Sequence, residues 1–164
     1  MKKIIVLLLL TNFCYGQDIL TVANSYLGKR AGNGICWQYI KHVLKDSKHT
    51  IGEVVENPRP GDICMNLGKK DSVIPILDKY GDCYAYRLYG EREHIMIITK
   101  VLGNNTYEVL EQNANGKRDP VSRGKLDLNV KPHQDDWGAT FYRPTKGKLT
   151  KEDISTIKHF THTY

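Results

Sequence analysis

The residues best suited to chemistry in this sequence of 164 residues are one cysteine, one histidine and two polar residues. In GNGICWQYIKHVL (residues 32–44), Cys36 follows a glycine-rich stretch and opens a segment in which Cys36, Tyr39, Ile40, Val43 and Leu44 recur at helical spacing. The pattern predicts a helix over 35–45 with Cys36 in its first turn. Unpaired N–H groups and the positive end of the helix dipole stabilise a thiolate there. A thiol near its ordinary pKa is mostly protonated at neutral pH, so a nucleophilic cysteine also needs a base, for which imidazole is suited. HIMIITKVL (94–102) begins with His94, and TYEVLEQN (106–113) ends with Glu111 and Asn113. If these strands are joined by a two-residue turn at Gly103 and Asn104, His94 lies opposite Asn113, and alternation puts Glu111 on the same face. Nucleophile, imidazole and polar orienter are the parts of a Cys-His triad. Each residue also has a plainer reading: Cys36 packs, His94 faces solvent, and Glu111 and Asn113 shape the turn before Ala114, Asn115 and Gly116. Chain order and the shared face favour the triad.

Several elements must position these groups. Ile19, Val22, Ala23, Tyr26 and Leu27 predict a helix that stops at Gly28, followed by a loop with Gly32 and Gly34. ENPRPGDICMNL (56–67) reads as a turn on Pro58, Pro60 and Gly61 and then a strand from about Asp62. Residues 66–92 are long for a loop, so they are expected to carry function, a short hairpin or a disulfide. Tyr80, Tyr84, Tyr86 and Tyr89 crowd that stretch, as packing groups or as a substrate platform. GATFYRP (138–144) predicts a last strand, and the polar tail from Thr145 holds at most one short helix capped at Thr150. The expected class is α+β, with the Cys36 helix on a small antiparallel sheet.

MKKIIVLLLLTNFCYG (1–16) has the layout of a secretory signal peptide: two lysines, an apolar run from Ile4 to Leu10, then turn-forming residues. Lipidation at Cys14 is disfavoured, because Thr11 and Phe13 stand where a lipobox has Leu and a small residue. The expectation is a secreted or periplasmic protein that begins at Gln17 and is not integral to a membrane. The net charge of +6 falls to +4 without Lys2 and Lys3, and it is spread along the chain, which argues against a nucleic-acid partner. Three of the four cysteines remain, Cys36, Cys64 and Cys83, an odd number for an oxidising compartment. Pairing Cys64 with Cys83 leaves Cys36 free; alternatives are three reduced thiols or a bridge at Cys36. No spacing suits a zinc site, so neither a metal nor a cofactor is expected. The size suits one domain over 17–145, expected as a monomer, with a tail over 146–164.

GNGICWQYI, RPGDI, EHIMIITKV, EVLEQN and TFYRP occur in the order and spacing of a CHAP domain, the cysteine, histidine-dependent amidohydrolase and peptidase group of the papain-like superfamily that includes NlpC-type wall peptidases. The chain most resembles a CHAP-like module with a GxGxCW motif, also found in fungal actin-patch proteins. The resemblance spans about 18–144. It implies a papain-like (CHAP/NlpC-type) fold, with Cys36 as nucleophile, His94 as general base, and Glu111 and Asn113 as polar partners. Papain-like enzymes often place a side-chain donor just before the cysteine for the oxyanion. Here Ile35 stands there, and Asn33 is the nearby polar candidate. The resemblance implies a cysteine amidase or endopeptidase acting on peptidoglycan or a related peptide. The alternatives are a non-catalytic module that binds cell wall or protein, and an antibacterial toxin or effector.

Overall fold

The computed structural model describes residues 19–67, 72–77, 83–89, 94–113, 117–129 and 138–159, with backbone alone for 66, 67, 72–77, 83–89, 138 and 159. The signal segment and Tyr80 lie outside the described residues.

The chain is α+β. A helix over 19–25 (α1) and a glycine loop precede α2 (Cys36–Ser47). The strands are β1 (His49–Val55), β2 (Ile63–Leu67), β3 (Ser72–Leu77), β4 (Cys83–Tyr89), β5 (His94–Gly103), β6 (Thr106–Glu111), β7 (Ser122–Asp127) and β8 (Gly138–Lys146). The last described helix is α3 (Lys151–His159). Six strands form one antiparallel sheet in the order β1-β8-β2-β5-β6-β7. β3 and β4 pair separately, so residues 66–92 do contain a hairpin. Among the described residues no helix is long and apolar enough to cross a membrane.

Alternation along β5 divides the core. Ile95 and Ile97 join Tyr39, Ile40, Val43 and Leu44 of α2. Met96 and Ile98 instead pack with Cys64, Tyr107, Val109, Leu126 and Phe141 on the other side of the sheet. Burying this continuous apolar stripe of α2 is what holds the Cys36 helix against the central strands.

The two motifs RPGDI and TFYRP prove to be structural partners. Asp62 is 1% exposed; it accepts the Arg59 N–H at 2.9 Å and receives Arg143 Nε and Nη2 at 3.2 and 3.0 Å. A buried carboxylate needs such pairing, and this one pins the entry of β2 to β8. At the other end, Thr150 caps α3: its hydroxyl accepts the Asp153 N–H at 3.1 Å, and Asp153 reaches back to the Thr150 N–H at 2.7 Å. Asp153 also accepts the Ile51 N–H at 3.1 Å, and Ile157 is fully buried, so the segment after Thr145 contributes to the core.

Candidate active site

Cys36 is the first residue of α2. Its N-cap, Ile35, has extended backbone (φ −88°, ψ 153°) and supplies no side-chain cap; its carbonyl takes the Gln38 N–H at 3.1 Å, which leaves the Cys36 and Trp37 N–H groups for a ligand or for the thiol itself. Cys36 is 6% exposed. Burial alone would favour the neutral thiol. That cost is outweighed by a hydrogen bond and charge interaction with His94 and by the N–H groups of Ile95 and Trp37, so the thiol pKa lies below its ordinary value.

His94 opens β5 and is 6% exposed. Its Nε2 lies 2.9 Å from Glu111 Oε2 at the end of β6, and the ring also hydrogen-bonds the Cys36 thiol. Burial would lower the pKa of this ring. Hydrogen bonds and opposite charge from Cys36 and Glu111 outweigh burial and raise it to about 10. Both shifts favour the same state, a thiolate beside an imidazolium that is held on its far side by a carboxylate. By alternation His94 and Glu111 belong to the Met96 face of the sheet, so Cys36, coming from the helix side, meets the ring at the strand end.

The register that brings Glu111 to His94 agrees with expectation at the site but arises differently. Met96, Ile97 and Ile98 pair with Glu111, Leu110 and Val109. The turn, however, is centred on Asn104 and Asn105, both at positive φ (45° and 53°), with Gly103 opposite Thr106. Irregularities between Ile98 and Lys100 and between Val101 and Gly103 restore the expected register before the site.

Asn113 does not extend the pair. β6 ends at Glu111; Asn113 has φ 64°, accepts the Arg118 N–H on Oδ1 at 2.6 Å, and donates its own N–H to the Asp119 carbonyl at 3.3 Å. It closes the turn that leads to β7. Asn33 is exposed, and its Oδ1 accepts the Ile35 N–H at 3.3 Å; its Nδ2 has no partner among the described residues. Cys64 is a free, fully buried thiol whose pKa burial pushes far up; the side chain of Cys83, its expected partner, lies outside the described residues. A cavity of about 20 Å³ beside His49, Asp62 and Arg143 has room for one water and touches none of these site residues. Among the described residues no group of three or more His, Cys, Asp or Glu could hold a metal.

Two supporting residues were invisible to spacing arguments. Gln112 is fully buried; its Oε1 accepts the Ala31 N–H at 2.6 Å, and its Nε2 donates to the carbonyls of Ala31 at 3.0 Å and Ile35 at 2.8 Å. It therefore grips the loop that delivers Cys36. Gly124, on β7, leaves the space that the Glu111 carboxylate occupies; a Cβ there would collide with Oε1.

No protein-family profile matches the chain, and no curated protein matches it. Two solved structures are similar at 16% identity and a TM-score of 0.45 over 79% of this chain, titled "The crystal structure of Ly7917" and "The crystal structure of Ly7917 with the hydrolyzing product of MDP". The aligned region spans 62% and 63% of those chains, less than two thirds of their length.

Proposed function

We propose that this protein is a secreted or periplasmic cysteine amidase or endopeptidase of papain-like, CHAP type, acting on an amide bond in peptidoglycan or a related peptide. The observation that carries the proposal is the buried chain Cys36–His94–Glu111, in which the thiol pKa is lowered and the imidazole pKa raised. A buried cysteine with only a packing role, such as Cys64, shifts the opposite way.

The Cys36 thiolate attacks the scissile carbonyl carbon, and the C=O electron pair moves onto oxygen. The developing oxyanion takes the Cys36 N–H at the helix start, with the exposed Asn33 amide as a second donor. As the tetrahedral intermediate collapses, the C–N bond breaks, the His94 proton goes to the leaving amine, and a thioester remains on Cys36. The neutral ring then takes a proton from water, whose oxygen attacks the thioester; carboxylic acid leaves and the thiolate–imidazolium pair returns. Glu111 stays ionised and holds the ring in orientation and tautomer.

The test is release of new amine from purified peptidoglycan. Cys36→Ala should abolish it, His94→Ala should lower it by about 100- to 10,000-fold, and the double variant should be no worse than Cys36→Ala. A chelator should leave turnover intact. Turnover that survives Cys36→Ala overturns the proposal; absent turnover, with sedimentation on wall material that persists in Cys36→Ala, identifies a binding module instead.

A further inference from the structure

Two arginines that are distant in sequence converge on the loop that presents Cys36. A Cβ added to Gly34 would meet Arg118 Cβ at 2.7 Å and Arg30 Cδ at 3.0 Å, so both stems lie against Gly34. Gly34 is two residues before Cys36, a span of at most about 7 Å. Both arginines are exposed, and neither guanidinium has an acidic partner among the described residues.

The placement is built by the fold. Gly28 donates its N–H to the Val121 carbonyl and Val121 donates to the Lys29 carbonyl, both at 2.9 Å, locking the segment after Arg118 onto the segment before Arg30. Asn113 fixes the Arg118 backbone, which has φ 55°, through the 2.6 Å bond to its N–H. Gly34 itself has φ +91° and is the residue whose missing side chain admits both stems. Lys29 and Lys117 are exposed neighbours of the same sign. The nearby acid, Asp119, has a buried Oδ2 without a partner among the described residues and does not pair with either arginine. Glu111 is engaged by His94. The local balance beside the thiol is therefore cationic.

We propose that Arg30 and Arg118 form a carboxylate-binding subsite of the Cys36 site, so that the preferred substrate is an amide with a free carboxylate next to the scissile bond. The proposal rests on the reading of Cys36 as an activated nucleophile. Guanidinium groups pair with carboxylates bidentately, and two without competing acids hold such an anion better than one.

Iodoacetate and iodoacetamide test this with an anionic and a neutral reagent of similar size. Both consume the same thiolate, so the ratio of their rate constants at Cys36 cancels any change in thiolate fraction. At low salt the ratio should exceed that of free cysteine, and Arg30→Gln/Arg118→Gln should lower it about three- to tenfold, as should high salt in the unmodified protein. Lys100→Gln, which removes an exposed charge further along β5, should leave it unchanged. In matched peptide amides, replacing the carboxylate by a carboxamide should raise KM in the unmodified protein and have little effect in the double variant. A ratio unaltered by the double substitution overturns the subsite while leaving the nucleophile standing. Alkylation of Cys36 by iodoacetamide no faster than free cysteine overturns both.

Discussion

Glu111 and Gln112 are adjacent in the chain, yet their side chains leave the end of β6 in opposite directions and hold the two halves of the site. Glu111 meets His94 at 2.9 Å, while Gln112 makes three hydrogen bonds to the loop at Ala31 and Ile35. Strand alternation thus lets one strand end set the position of the imidazole and of the thiol together.

Gln112→Ala should therefore impair the site without touching it. Removing the amide strands the Ala31 N–H and two carbonyls, a loss of about 1–3 kcal/mol in folding stability. The diagnostic readout is kinetic: kcat and the Cys36 alkylation rate should fall together at temperatures where the variant is fully folded. Gln112→Glu, of the same length, should recover little, because its carboxylate cannot donate to the Ala31 and Ile35 carbonyls. Unchanged kinetics in a folded variant would limit Gln112 to a packing role.

Turnover should follow a bell in pH. The acid limb reports formation of the thiolate, below the ordinary thiol range, and the alkaline limb reports loss of the imidazolium near 10. Glu111→Gln removes a charge that raises the His94 pKa, so the alkaline limb should move to lower pH. Gly124→Ala should shift it the same way by crowding that carboxylate. An alkaline limb that stays fixed in both variants contradicts the role given to Glu111.

Much of this site is legible in the sequence because the elements that carry it have strong periods. The α2 stripe and the β5–β6 pair are central and apolar, so their spacing announces them. The strands that left no signal, β1 and β7, are the two edges of the sheet. β7 buries only Leu126 well, and β1 is interrupted between Thr50 and Glu53, where Gly52 at φ +76° lies hard against the Arg143 carbonyl. Gln112 was missed because an uncharged amide advertises no chemistry; its only sign is that, between Glu111 and Asn113, it must point the other way. Asn113 matched the expected pairing with His94 by number, but the strand stops first, and a side chain at positive φ serves its own turn.

Asp153 offers a stability test away from the site. Burial would raise its pKa, but bonds from Thr150 and from the Ile51 N–H dominate and lower it below 3.8. Its contribution is thus present above the unfolded pKa and is lost as pH falls through the folded one. Asp153→Ala should destabilise the protein by about 1–2 kcal/mol at neutral pH, the usual size of a lost helix cap, and the gap to the unmodified protein should shrink in acid. Denaturant midpoints measured across pH check this, and a gap that widens in acid contradicts it.

Cys64 provides an internal control. It is fully buried and its pKa is raised, so alkylation should mark Cys36 in the native protein and reach Cys64 only in denaturant. Mass spectrometry of the non-reduced protein should show Cys36 and Cys64 free; a peptide that links Cys36 to another cysteine overturns its assignment as the nucleophile. The same spectra should place the mature N-terminus at Gln17.

The central claim is that His94 and the helix start turn Cys36 into a thiolate at neutral pH, and the pH dependence of Cys36 alkylation by iodoacetamide measures this directly. The rate should rise with an apparent pKa below the free-cysteine value of about 8.5, and the midpoint should climb in His94→Ala. A midpoint at or above the free-cysteine value that does not move with His94→Ala would contradict it.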